Sequence, residues 1–208
     1  MSVQFIQTPI GIVALQDADR QLIRVEFLFG RKSNGAKEKA TFELIGGKKD
    51  VLDRFSKSEL QIIAQKRFQD VWQNTDLLEQ TRQELFEYFD GVRKAFTLPL
   101  NPQGTAFRRK VWDVLATVPY AQTRTYGELA QMIGAPKASR AVGAAMRENP
   151  IGIILPCHRI VGSSGKLTGY NGGLDRKIFL LELETRNYEP HLSRFCKTSR
   201  TIVTHHET

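Results

Sequence analysis

The chain has 208 residues, 41% hydrophobic and 25% charged, which leaves room for one large or two small cored domains of ordinary globular composition. No apolar run approaches the roughly 18 residues of a membrane span, and the first residues carry no basic cluster followed by an apolar stretch, so a cytoplasmic protein (nuclear if eukaryotic) without a membrane partner is expected. The net charge of +8, with a pI of about 9.6, favours polyanion partners, nucleic acid above all.

The first 30 residues read as strands. Ile10 to Leu15 is a short apolar run behind Pro9, and Ile23-Arg24-Val25-Glu26-Phe27 alternates apolar and polar residues with period two. Arg31 to Lys39 is polar, holds an Asn-Gly pair and is expected to be a loop. Leu60, Ile63, Ala64, Phe68 and Val71 follow helical spacing. A further helix is predicted from Asp76, with Glu79 three residues on; it turns Leu78, Leu85 and Phe89 inward and stops at Asp90-Gly91. Residues 1–97 thus form a small mixed α/β unit, and it contains neither Cys nor His.

Leu98-Pro99-Leu100-Asn101-Pro102 reads as an extended linker, because proline pushes its predecessor out of the helical region. The helix after it carries Phe107, Val111, Leu115 and Val118 on one side. Thr125 to Ile133 is a short helix burying Leu129 and Ile133. Gly134-Ala135-Pro136 breaks the chain, and Ser139 to Arg147 resumes helix with Val142, Ala145 and Met146 inward. Helix, glycine turn, helix is the outline of a helix-turn-helix and equally of any αα-hairpin.

From Gly104 to Glu148 seven basic residues (Arg108, Arg109, Lys110, Arg124, Lys137, Arg140, Arg147) stand against three acidic ones (Asp113, Glu128, Glu148). A basic, helical stretch suits a DNA-facing surface, or a solvated one. The second helix lacks side chains able to read base edges in the major groove. Its small residues fit a minor-groove contact that reads shape and phosphates, or close packing of helix on helix.

Only two cysteines are present, Cys157 and Cys196, which excludes a disulfide framework and suits a reducing compartment. Cys157 lies in Pro156-Cys157-His158-Arg159-Ile160, straight after the apolar Ile151, Ile153, Ile154 and Leu155. A thiol beside an imidazole at the end of a buried segment points to a nucleophile. A free cysteine is only a few per cent ionised at pH 7, so it needs a nearby base. Neighbours in an extended segment point to opposite sides, so adjacency alone does not make a Cys157–His158 hydrogen bond.

Taken together, Arg140-Ala-Val-Gly-Ala-Ala-Met-Arg147, Asn149-Pro150, Ile154-Leu-Pro-Cys-His-Arg159 and Gly169-Tyr170-Asn-Gly-Gly-Leu174 resemble the O6-alkylguanine-DNA alkyltransferase family. Upstream, Gly104-Thr-Ala-Phe107, Val111-Trp112, Val118-Pro-Tyr120 and Thr125-Tyr-Gly-Glu-Leu-Ala130 fit the same pattern in the same order, so the resemblance covers about Leu85 to Glu184. It implies a small ribonuclease-H-like α/β domain at 1–97, a mostly helical, winged-helix-like domain with the helix-turn-helix and the active cysteine at 98–184, and an extension of unassigned role at 185–208.

The resemblance also implies an activity: irreversible, stoichiometric transfer of the alkyl group of O6-alkylguanine, and of O4-alkylthymine, in double-stranded DNA to Cys157. The expected protein is a monomer without cofactor or metal. Cys157 is the implied nucleophile, with His158 as its base through a water, Glu184 orienting the imidazole, Tyr126 bonding the guanine ring and Asn149 tying the recognition helix to the cysteine segment. Arg140 is implied to fill the gap left by the flipped nucleotide, with Thr125, Tyr126, Ala141, Gly143, Ala144 and Arg147 also against DNA. Ile154, Pro156, Tyr170, Asn171, Gly172 and Gly173 are implied to shape the substrate pocket. Asn171 stands where the family often has a small residue.

Three other readings compete. A non-enzymatic alkyltransferase-like protein lacks the nucleophile, which Cys157 supplies here. A Cys-His hydrolase could draw its base from His191, His205 or His206, but its local cysteine signatures are missing. A zinc site of Cys157, His158, Cys196 and the C-terminal histidines has no CxxC or HxxxH spacing to support it.

Overall fold

The structure, a computed structural model, describes residues 1–28, 56–69 and 71–188. The expected loop at 31–39, Cys196, His191, His205 and His206 lie outside the described residues. Three antiparallel strands, β1 (Ser2–Thr8), β2 (Gly11–Ala18) and β3 (Gln21–Phe27), form a meander, and the two-residue β4 (Val71–Trp72) returns parallel to β1, giving the order β3-β2-β1-β4. The continuous apolar run in β2 has a physical reason: both faces of the sheet are covered. Val3, Phe5, Ile12, Ala14 and Leu28 pack on one side against α1 (Lys57–Ile63) and the π-helical turn Ala64–Phe68. Ile6, Ile10, Val13, Leu15, Leu22 and Val25 face the other way, into the larger core.

In β3 the simple alternation does not survive. The register shifts opposite Gln16 and Asp17, so Ile23 has no pairing partner, and Leu22 and Val25 both reach the larger core; this is the effect of a β-bulge. Val71 departs from the predicted helical series. The helix ends at Gln69, whose φ of 57° is left-handed, and Val71 pairs with Ser2 in β4, half exposed.

The second predicted helix is α2 (Asp76–Phe89), capped by the Thr75 side chain, with Leu78, Leu85 and Phe89 buried as expected and Tyr88 buried beside them. The segment Leu98–Pro102 is extended but docked: Leu22 N donates to Pro99 O at 2.8 Å and Asn101 N to Leu22 O at 2.9 Å, beside β3.

The C-terminal half is mostly helical: α3 (Ala106–Ala116), α4 (Tyr126–Met132), α5 (Ser139–Arg147) and α6 (Leu174–Arg186), with a two-stranded parallel ladder of β5 (Arg124–Thr125) and β6 (Ile160–Val161). Val111, Leu115 and Val118 are buried on α3 and its exit as predicted, whereas Phe107 is exposed and Trp112 takes the core position. Trp112 Nε1 donates to Ala145 O at 3.0 Å, fixing α3 against α5, and a Cβ at Gly104 would stand 2.6 Å from the Trp112 ring. One hydrophobic cluster runs from the sheet through α2 into Val142, Ala145, Cys157 and Leu180, so both halves share a core.

Candidate active site

The cysteine segment hangs on the edge of the sheet. Val25 N donates to Pro150 O at 2.9 Å, and Gly152 N to Val25 O at 2.8 Å. A Cβ on Gly152 would meet Val25 O at 3.3 Å, so the close approach favours glycine. Ile153 follows with φ of 70°, in the left-handed region that β-branched residues rarely adopt, and its side chain is buried. The chain then enters a single 3-10 turn, Cys157–Arg159, where an extended segment was expected.

The turn gives the two reactive side chains different partners. Cys157 Sγ receives a hydrogen bond from Asn149 Nδ2 at 3.2 Å, and the same amide donates to Leu155 O at 2.9 Å. Asn149 Oδ1 accepts from Ile151 N at 3.1 Å. His158 Nε2 lies 2.8 Å from Glu184 Oε1, and both side chains are fully buried. His158 Nδ1 is buried and has no protein hydrogen-bond partner among the described residues.

Glu184, which without the family pattern would read as a surface position, is the hub of the site. Arg159 donates to it through Nε, at 3.2 and 3.0 Å, and through Nη2, at 2.9 Å. Ala121 N donates to Oε2 at 3.0 Å and the Tyr88 hydroxyl to Oε1 at 2.7 Å. Burial opposes ionisation of Glu184, but His158 and the Arg159 guanidinium outweigh it and hold the carboxyl down to about 2. A carboxylate only accepts, so Nε2 of a neutral His158 carries the proton and Nδ1 the lone pair.

Burial pushes the His158 imidazole below its ordinary value; Glu184 resists the shift, and the Arg159 and Lys177 cations add to it. Burial likewise pushes the Cys157 thiol up, against the Asn149 hydrogen bond and the Lys177 charge. The resting pair is therefore a protonated thiol and a neutral imidazole. Lys177 is itself buried; desolvation lowers it to about 8, and its Nζ donates to Ile160 O at 2.6 Å and Thr168 O at 3.0 Å.

One cavity is lined by Asn149, Cys157, Tyr170, Asn171, Gly172 and Gly152 together with Val25, Glu26, Phe27 and Arg67 from the N-terminal unit. Ile154 and Pro156 are buried near Cys157 but do not line this cavity, and neither do Gly173 and Tyr126. A Cβ on Gly172 would stand 2.7 Å from the rings of Phe27 and Tyr170, so only glycine lets the loop close on both. The Tyr170 ring meets the His158 ring edge-on at 6.5 Å.

The helix pair α4–α5 lies next to this site. Thr125 caps α4 in a reciprocal box with Glu128, its hydroxyl accepting from Glu128 N at 3.1 Å. The Tyr126 hydroxyl accepts from Thr168 Oγ1 at 3.2 Å. On α5, Val142, Ala145 and Met146 are buried, while Arg140, Ala141 and Arg147 are exposed and Gly143 and Ala144 half-buried. A Cβ on Gly143 would meet the Tyr126 ring only at 3.8 Å, so helix packing does not require glycine there.

Sequence reasoning missed Tyr88, Lys177, Arg67 and Phe27, and gave Arg159 no role. A signal existed for Lys177: with Leu180 and Glu184 it forms an i, i+3, i+7 series on one helix face.

Residues 106–186 match the model of the 6-O-methylguanine DNA methyltransferase DNA-binding domain. The methylated-DNA–protein-cysteine methyltransferase of Methanosarcina barkeri is 39% identical over 187 residues, covering 90% of this chain and 99% of that protein. That of Methanosarcina acetivorans is 53% identical over 116 residues, 55% of this chain and 74% of the relative. Among solved structures, Mycobacterium tuberculosis OGT in complex with DNA aligns with a TM-score of 0.68 at 34% identity, over 90% of this chain and 94% of that one. With a relative of this identity matched along nearly its whole length, the chain belongs to the methylated-DNA–protein-cysteine methyltransferase family.

Proposed function

We propose that this chain repairs double-stranded DNA by moving the alkyl group of O6-alkylguanine, and of O4-alkylthymine, onto Cys157 Sγ in one irreversible step. The observation that carries the reading is Cys157 held by Asn149 beside a buried His158–Glu184 pair. Neutral His158 takes the thiol proton on Nδ1 through an intervening water, as a general base. The thiolate, a soft nucleophile, attacks the alkyl carbon; the carbon–sulfur bond forms and the carbon–oxygen bond breaks, its electrons passing to the guanine. The Tyr126 hydroxyl stabilises that leaving anion. A thioether is not hydrolysed by a histidine and a water, so each chain acts once.

DNA meets the outer face of α5. Arg140 and Arg147 are exposed there, and the small Ala141, Gly143 and Ala144 between them suit close approach in the minor groove. The base must leave the duplex, because its alkylated oxygen lies inside the stack; Arg140 fills the space it vacates. The acting unit is a monomer without cofactor, in a reducing compartment that keeps the thiol free, and the division at 97/98 separates the sheet unit from the alkyl-accepting unit. The test is mass spectrometry after incubation with an O6-methylguanine duplex. The expected result is one added methyl, mapped to Cys157; repaired DNA with Cys157 unmodified overturns the reading.

A further inference from the structure

Glu184 receives more donors than its placement requires. Arg159, through Nε and Nη2, and Ala121 N already fix both carboxylate oxygens. Tyr88 adds one more, at 2.7 Å to Oε1, the oxygen that also contacts His158 Nε2. It comes from α2, in the N-terminal half, across a sequence separation of 96 residues. The ring packs among Phe89, Phe96 and Tyr120, with centroids 5.4 to 6.1 Å apart, a setting that a phenylalanine would fill equally well. The hydroxyl is therefore the part of this side chain that packing does not explain.

We propose that Tyr88 is a positioning residue for the His158–Glu184 pair: by donating to the shared oxygen Oε1 it takes up part of the carboxylate's charge and so sets how strongly Glu184 holds a proton on His158. The inference rests on the proposed function for its consequence, since a base must be neutral to take the thiol proton. Burial, followed by the Glu184 charge, keeps the phenol protonated far above the ordinary range, so Tyr88 stays a donor throughout the working pH.

The groups that face His158 from the packed elements are Glu184 and Lys177 on α6, Arg159 and Cys157 on its own segment, Tyr170 on the loop after β6, and Tyr88 on α2. Tyr120 faces Arg159 and Glu184 from the turn after α3. Of these, Tyr88 alone is a neutral donor on the same carboxylate oxygen. Removing it leaves Glu184 in place, held by Arg159 and Ala121, but with more negative charge toward the imidazole. Protonated His158 is then stabilised, and the neutral form is lost at a higher pH.

The experiment follows two midpoints in the full chain: the acid limb of the single-turnover rate with O6-methylguanine DNA, and the His158 imidazole titration by NMR in unreacted protein. In Tyr88→Phe both should move up by about one pH unit, the scale of one hydrogen bond to a charged group. With 3-fluorotyrosine at position 88, which keeps the ring and donates more strongly, both should move down; this protein decides alone if the Phe variant does not fold. Unchanged midpoints, or shifts of one sign in both proteins, overturn the inference, as does a slower Tyr88→Phe with the wild-type midpoint. A wild-type protein that transfers no alkyl group refutes the proposed function instead, and the NMR titration then decides on Tyr88.

Discussion

Asn149 Nδ2 donates both to Cys157 Sγ, at 3.2 Å, and to the Leu155 carbonyl, at 2.9 Å, so the amide that touches the sulfur also closes the turn that carries it. Its Oδ1 holds Ile151 N in the same buried turn. Asn149→Ala leaves the buried Ile151 N–H without its acceptor, at a cost of about 1–3 kcal/mol, while the Leu155 carbonyl keeps its hydrogen bond from Cys157 N. The variant should melt at least about 2 °C lower than the parent, on the scale of a domain this size. A thermal scan showing the parent's melting temperature would contradict this role.

Cys157→Ala should abolish alkyl transfer and leave the affinity for O6-methylguanine DNA within about twofold, since the side-chain hydrogen bond that the sulfur receives from Asn149 is a weak one. Fluorescence anisotropy and a transfer assay on the same preparation check it. Residual transfer at the parent rate would make Cys157 a structural cysteine.

Arg140 projects from α5 into solvent, away from the buried Val142, Ala145 and Met146. Arg140→Ala should slow repair of duplex DNA by at least about tenfold while reaction with the free alkylated base is unchanged, because only the duplex requires extrusion of the base. Equal losses on the two substrates would assign Arg140 to the fold or to the chemistry.

The helix pair was legible from the sequence because its signals are local. Gly134-Ala135-Pro136 punctuates it, and the three inward residues of Ser139–Arg147 recur at helical spacing. Val71 misled because the apolar period runs on past Gln69, where a left-handed residue ends the helix, and pairing with Ser2 then overrides the pattern. Phe107 misled because the α3 stripe is rotated by one position to bury Trp112 against α5. Of the site, Cys157, His158 and Asn149 sit on one short segment and carry the family's pattern. Tyr88, Arg67 and Phe27 reach the site only through tertiary contact between the two halves, for which no spacing in the chain gives a sign.

Glu184 ties acid stability to the site. Its carboxyl is held at about 2 in the fold against an ordinary value of 4.5. A depressed carboxyl stabilises the fold fully above the unfolded value, and the contribution fades as the pH falls from about 4.5 toward 2. Glu184→Gln should therefore be less stable than the parent at neutral pH, where it leaves Arg159 buried without its counter-charge. The gap in denaturant midpoint should stay constant above pH 5 and narrow below about 4.5. A gap that holds unchanged to about pH 2.5 would show that the Glu184 carboxylate is not held in the charged form.

The most direct test of the account is the stoichiometry of transfer. A thioether on Cys157 is stable, so the protein mixed with excess O6-methylguanine DNA should transfer one alkyl group per chain and stop. Product plotted against time should level off at the concentration of active protein. Fresh protein should restart the reaction, whereas a metal, a nucleotide or a methyl donor should not. Product that keeps accumulating well past one equivalent per chain would contradict transfer to Cys157 as the terminal step.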